Sequence, residues 1–127
     1  ATLDAARKGW KDRRIVAVFQ PHLYSRTQEL YKEFGTSFFD AEVCVITDVY
    51  PSREEPIEGV TGKLISDVAK EYGHRKVHYV EDKADLPGRL KEIVEPGDVV
   101  ITMGAGDIYK YGEQFVDALD AGISKLK

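Results

Sequence analysis

Cysteine is almost missing from this sequence: Cys44 is the only one in 127 residues. No internal disulfide can form, and a chain of this length does not need one, since it buries roughly two thirds of its unfolded surface on folding. Cys44 lies in Val43-Cys44-Val45-Ile46 with no His or second Cys close by, so a core thiol is expected ahead of a nucleophile or metal ligand. No apolar run is long enough to span a bilayer and no signal-peptide pattern opens the chain, which makes a cytoplasmic location the default expectation. Residue 1 is Ala and the only methionine is Met103, so an excised domain is expected, occupying 1–127 as a single unit. Positive charge is in deficit, with 18 Lys and Arg against 22 Asp and Glu, a net charge of -4 and a pI near 5.4. A non-specific nucleic-acid binder needs a basic face to displace counterions, so that partner is excluded, as is a membrane. A small anion held by one or two arginines is not. Nothing matches G-x-x-x-x-G-K-[ST], which excludes an autonomous P-loop ATPase.

What is present is an alternation of short apolar runs and amphipathic stripes. Strands are expected at 14–20, 43–49, 76–80 and 98–103. The runs IVAVF, VCVI and VVITM are nearly continuous, as in strands covered on both faces of a parallel sheet. Helical spacing joins Leu30, Tyr31, Phe34 and Phe38, then Leu64, Ile65, Val68, Ala69 and Tyr72. It also joins Leu86, Leu90, Ile93 and Val94, then Phe115, Leu119, Ile123 and Leu126. Ser25, Thr61 and Asp82 stand where N-caps belong, and Gly73 where a C-cap belongs. A leading helix followed by strand–helix units gives a Rossmann-like α/β three-layer sandwich, its sheet mainly parallel with core order 3-2-1-4. That order puts the ends of strands one and four together at a switch point, where open α/β sheets bind ligands.

The chemistry-bearing residues follow strands one, two and four. After strand one comes Gln20-Pro21-His22-Leu23-Tyr24-Ser25-Arg26-Thr27. Pro21 stops the strand, and Ser25 would cap a helix whose free N–H groups, with the Arg26 guanidinium, suit a carboxylate or phosphate. The alternative is an ordinary capped helix with an exposed arginine and a packed tyrosine. After strand two, residues 48–59 form a loop longer than the usual βα connection, as binding loops often are. Asp48 could take a ribose hydroxyl or an ammonium group, or simply form the turn. Arg53, Glu54, Glu55 and Glu58 read as a solvated charged stretch rather than a metal site. After strand four, Gly104-Ala105-Gly106-Asp107 offers only a G-x-G fragment, whose glycines allow a ligand or a neighbouring backbone to come close. Asp107 could instead cap the next helix. His74 and His78 read as surface or edge residues, Trp10, Tyr109 and Tyr111 as packing groups, and the VEDKAD segment after strand three as plain edge.

Taken together, Phe19 to Thr27, Asp48-Val49-Tyr50-Pro51 with Glu55-Pro56-Ile57 and Gly59-Val60, and Thr102 to Ile108 resemble the Mur ligase family. Within it they are most similar to the C-terminal domain of the alanine-adding branch, in order and spacing over essentially the whole chain. The resemblance implies an ATP-dependent peptidoglycan-precursor ligase in which the carboxylate of UDP-N-acetylmuramate is activated by phosphorylation and attacked by the amine of L-alanine. It implies that this domain binds the amino acid and closes over a central ATPase domain. ATP and Mg are then held mainly by that central domain, which like the UDP-sugar domain is expected to lie outside this chain. Arg26 matches a residue that grips the alanine carboxylate, and His22, Tyr24 and Ser25 match the rest of that turn. Leu23 is a departure, since some members carry a second arginine there, which leaves Arg26 with more of the task. No catalytic residue, metal ligand or cofactor site of its own is expected, so the isolated domain should be inactive. His22, Tyr24, Ser25, Arg26, Asp48, Gly104, Ala105, Gly106 and Asp107 form the expected binding set. A non-catalytic nucleotide- or anion-binding module, or a purely structural interaction domain, would use the same features.

Overall fold

In the computed structural model, residues 2–104 and 107–126 are described, with side chains for 3–104 and 107–119. Ile15–Phe19 (β1), Val43–Thr47 (β2), Val77–Val80 (β3) and Val99–Met103 (β4) form one sheet. All three pairings are parallel and the order is β3-β2-β1-β4, as the sequence predicts. Between and around them run α1 (Thr2–Gly9), α2 (Tyr24–Gly35), α3 (Gly62–Glu71), α4 (Leu86–Ile93) and α5 (Ile108–Leu126).

The two-residue period of the strands sorts side chains onto opposite faces. Ile15, Ala17, Cys44 and Ile46 face Leu3 and Ala6 of α1, Tyr31 and Phe34 of α2, and Ile65 and Ala69 of α3. Val16, Val18, Val43 and Val45 face Leu86 and Leu90 of α4 and Ile108 and Phe115 of α5. Three layers result. Cys44 is buried as expected, and burial pushes its thiol up to about 12, which leaves it un-ionised at neutral pH. No helix among the described residues is long and apolar enough to cross a membrane.

Several expectations need correction. β1 and β2 are buried on both faces, but every residue of β4 is half-buried. It is an edge strand with one neighbour, so the continuous apolar run VVITM does not mark full burial. Phe38 lies beyond the end of α2 yet is buried, filling the sheet face from the loop, while Tyr72 and Trp10 are exposed. His74 is buried rather than superficial: its Nε2 meets the carbonyls of Phe38 and Ala41 at 3.2 and 2.9 Å, and its Nδ1 accepts from the Lys76 amide. The ring thus meets three backbone groups at once. His78, on the edge strand, is half-buried as read.

Caps fix where the helices begin. The Thr61 side chain accepts from the Lys63 amide, and Asp82 accepts from Ala84 to start the 3-10 turn Lys83–Asp85 ahead of α4. Gly73 follows α3 at φ +99, a conformation that favours glycine.

Ion pairs close the amino ends of the strands. Arg14 holds Asp98, Glu95 and the Ile93 carbonyl, while Arg7 pairs with Glu42, which also accepts from the Ile15 amide. The opposite, carboxyl-terminal rim is left for the residues that the sequence singles out.

Candidate functional site

The rim begins with an irregular extension of the sheet. Past Pro21, the chain leaving β1 stays beside the chain leaving β2. Tyr50 donates to the Pro21 carbonyl at 2.8 Å and Leu23 to the Tyr50 carbonyl at 2.9 Å, which makes a parallel bridge between His22 and Tyr50. The two rings stack at 6.0 Å with an interplanar angle of 27°. Two of the three segments the sequence picks out are therefore fastened together.

Ser25 is not the N-cap. Helix α2 starts at Tyr24, and the cap position is Leu23, at φ 67 and ψ 135 with no side-chain cap bond. A branched residue at positive φ is strained. It is held there by the bridge to Tyr50 and by Thr27, whose amide and hydroxyl both donate to the Leu23 carbonyl. Ser25, inside the first turn, gives its amide and its hydroxyl to the Glu54 carboxylate. The helix start is thus not wholly free for an external anion, because Glu54 already takes part of it. These bonds hold the Glu54 carboxyl below its ordinary range. Nothing in the spacing of the 48–59 loop marks Glu54 apart from Arg53, Glu55 and Glu58, which are exposed as expected.

Arg26 is exposed and has no ion pair or hydrogen bond among the described residues. It borders a cleft of about 440 Å3 with Phe19, Gln20, His22, Leu23, Phe34 and Gly104. The turn after β1 and the glycine after β4 therefore open on the same space, at the switch point between adjacent strands. Tyr24 is half-buried but does not line this cleft. A larger hollow of about 880 Å3 lies along β4 and α5, lined by residues such as Val94, Val100, Tyr109 and Val116. None of the candidate residues lines it.

Asp48 is spent on the backbone. Its Oδ1 accepts from Val49 at 2.8 Å and from Gly62 at 3.0 Å, which pulls the two ends of the long loop together. The turn-forming alternative is what the geometry favours. Gly104 adopts φ +135, and a Cβ there would stand 2.4 Å from the Gln20 carbonyl. Its glycine serves the approach of two backbones, with Gln20 donating to the Met103 carbonyl just before it. Ala105 and Gly106 lie outside the described residues.

Asp107 precedes α5 but points its carboxylate at Lys83, 2.5 Å away. That hydrogen bond, then the ammonium charge, holds the Asp107 carboxyl below its usual value against the opposing effect of burial. Lys83 comes from the segment read as plain edge, and Tyr111, read as a packing group, lines its ammonium at 5.5 Å. Gln20 was missed as well. It is fully buried with neither amide atom meeting hydrogen-bond geometry among the described residues, although it lies close enough to Asp107 to help keep that carboxyl ionised. A glutamine ending the run Ile15-Val16-Ala17-Val18-Phe19 is the signal that was available.

No three His, Cys, Asp or Glu groups gather as metal ligands among the described residues. The sequence holds no P-loop, and no chemical step is assigned to these residues.

The family model described as Mur ligase, glutamate ligase domain, matches residues 1–106. The chain belongs to the Mur ligase family. It is 61% identical over 120 residues to the UDP-N-acetylmuramate–L-alanine ligase of Salinibacter ruber and 50% identical to that of Geobacter sulfurreducens, in each case along 94% of this chain. It spans about a quarter of those relatives, 25% and 26% of their lengths. Among solved structures, the murein peptide ligase of Psychrobacter arcticus superposes with a TM-score of 0.70 at 19% identity, covering 93% of this chain and 24% of that one. A domain of a ligase for UDP-N-acetylmuramate and L-alanyl-γ-D-glutamyl-diaminopimelate from Haemophilus ducreyi gives 0.64 at 24% identity, covering 93% and 78%. Those two likenesses establish the shared Mur ligase fold.

Proposed function

We propose that this chain is the amino-acid-binding, C-terminal domain of an ATP-dependent ligase that joins L-alanine to UDP-N-acetylmuramate in the cytoplasm. The observation that carries the reading is the 61% identity to the Salinibacter ruber ligase along nearly the whole chain. The rim geometry supports it by offering the Arg26 guanidinium, unengaged among the described residues, beside a small cleft at the switch point.

In this reading Arg26 takes the alanine carboxylate with charge-assisted hydrogen bonds contributing about 1.5–3 kcal/mol. Phe19, Phe34 and Leu23 give the methyl group an apolar wall, and the His22–Tyr50 stack fixes the turn that carries Arg26. Glu54 stabilises the same turn by capping Ser25, so the amino acid relies on Arg26 more than on the helix amides. A ceiling near 1.5 kcal/mol per heavy atom limits so small a ligand to about 9 kcal/mol before ordering costs. The chain alone therefore binds alanine weakly, and closure over the rest of the protein supplies the proximity that makes weak binding useful. ATP and Mg belong to the central ATPase domain, which is the partner of this rim, and the UDP-sugar to a further domain.

Mass spectrometry of the full-length protein with ATP, Mg, UDP-N-acetylmuramate and L-alanine tests this. The expected product is UDP-N-acetylmuramate extended by one alanine through an amide, with one phosphate released per amide. This chain alone should form none. Release of phosphate without amide, or preferential use of a different amino acid, would contradict the proposal.

A further inference from the structure

The ion pair between Lys83 and Asp107 spans more of the molecule than its sequence context suggests. Lys83 follows β3 at one edge of the sheet, and Asp107 follows β4 at the other. Three strand spacings separate those edges, about 14 Å. A lysine at the start of a turn capped by Asp82 therefore leans across the ends of β2 and β1 to reach its carboxylate. Its ammonium also stands 5.1 Å from the centre of the Tyr50 ring and 5.5 Å from that of Tyr111, both within cation–π range. Tyr50 is the residue bridged to, and stacked on, His22. One cation thus touches the segments after β2, β3 and β4, and reaches the segment after β1 through a single ring.

The pair is not an ordinary surface contact. The Lys83 and Asp107 side chains retain 23% and 33% exposure, so solvent screens them less than a fully exposed pair. Lysine suits the position because a compact ammonium can direct one N–H at the carboxylate while the rest of its charge faces two rings. Removing it would leave Asp107 as an unbalanced carboxylate on a rim that, in the proposed function, must admit the amino acid's carboxylate, and would free the Tyr50 ring on which His22 rests.

We infer that Lys83 is a positioning residue: clamped by Asp107, Tyr50 and Tyr111, it locks the rim segments together and so sets where His22 and Arg26 meet the amino acid. The inference about the amino acid rests on the ligase reading above; the clamp itself does not. Lys83 makes no contact with substrate in this account, and acts through Tyr50 and Asp107.

Hydrogen–deuterium exchange and steady-state kinetics of the full-length protein test the two parts separately. In Lys83→Met the backbone amides of 50–54 and 108–112 should exchange about fivefold faster than in the wild type, with Lys83→Arg restoring most of the protection. Asp107→Asn should match Lys83→Met, and the double variant should be no worse than either single one, because each removes the same contact. In the kinetic arm, Lys83→Met should raise KM for L-alanine by about five- to tenfold while KM for ATP stays within about twofold. Unchanged exchange in Lys83→Met, or additive effects in the double variant, would overturn the clamp. A rise in KM for ATP rather than for alanine would overturn the positioning role and make Lys83 a direct nucleotide contact. A wild-type protein that forms no alanine amide would refute the ligase reading, and the exchange measurement would still decide the clamp.

Discussion

Replacing Arg14 with Met should destabilise the chain by about 3 kcal/mol, more than any exposed ion pair would explain. Asp98 is the reason. Its side chain is only 4% exposed, and the Arg14 guanidinium meets it through Nε and Nη2 at 2.8–3.1 Å. Arg14 also bonds the Ile93 carbonyl at 2.6 Å and pairs with Glu95, so one side chain gathers the end of α4, the loop after it and the start of β1. Methionine keeps most of the volume but leaves the Asp98 charge buried with the Glu95 amide as its remaining donor. Burial alone would raise the Asp98 carboxyl. The hydrogen bonds from Arg14 and from the Glu95 backbone, with the guanidinium charge, outweigh it and hold the carboxyl below its ordinary value. A depressed folded pKa gives stability that is present above the unfolded value, about 3.9, and is lost as pH falls through the folded one. Urea unfolding should therefore show a gap between wild type and Arg14→Met that is full at pH 7, is already narrowing by about pH 3.9 and closes further as pH falls. A gap that widened in acid would contradict the assignment.

Gly62→Ala should cost about as much, roughly 3 kcal/mol, through crowding rather than charge. Gly62 opens α3, and a Cβ on it would lie 2.0 Å from the Thr47 carbonyl oxygen and 3.3 Å from the Asp48 Cα. Neither obstacle is a flexible side chain. Asp48 draws the Gly62 amide onto the end of β2 at 3.0 Å, so the helix cannot withdraw without breaking that bond. Thermal unfolding should show a Tm roughly 10 °C lower. Gly88, inside α4, is the control: a Cβ there meets nothing within 4 Å, and Gly88→Ala should be neutral or stabilising by up to about 1 kcal/mol. Equal Tm values for the two alanine variants would refute the packing argument.

The layers and strand order were legible because they follow from hydrophobic period and short-range grammar. Runs such as Val43 to Ile46 fix buried strands, Thr61 and Gly73 mark helix ends, and parallel crossovers leave few topologies. What was not legible depends on contacts between residues far apart in sequence. The capping of Ser25 by Glu54 joins positions 29 apart, and the Lys83–Asp107 pair positions 24 apart. Composition cannot distinguish Glu54 from Glu55, or Lys83 from any lysine on an edge. Ser25 misled for a physical reason: a serine ahead of a helical stripe is a good N-cap by rule, but the bridge between His22 and Tyr50 forces Leu23 into that place. Arg26 and Gly104 could be anticipated to share a cleft, since the order 3-2-1-4 already makes β1 and β4 neighbours. Asp48 shows the opposite lesson, with a strand-end acid occupied by the chain's own amides.

The proposed function takes the Arg26 guanidinium, unpaired among the described residues, as the handle for the amino acid, and steady-state kinetics of the full-length protein carrying Arg26→Ala measures that most directly. KM for L-alanine should rise roughly 10- to 100-fold, the equivalent of losing charge-assisted hydrogen bonds, with Arg26→Lys between the two. An Arg26→Ala protein whose KM for L-alanine equals that of the wild type would contradict the account.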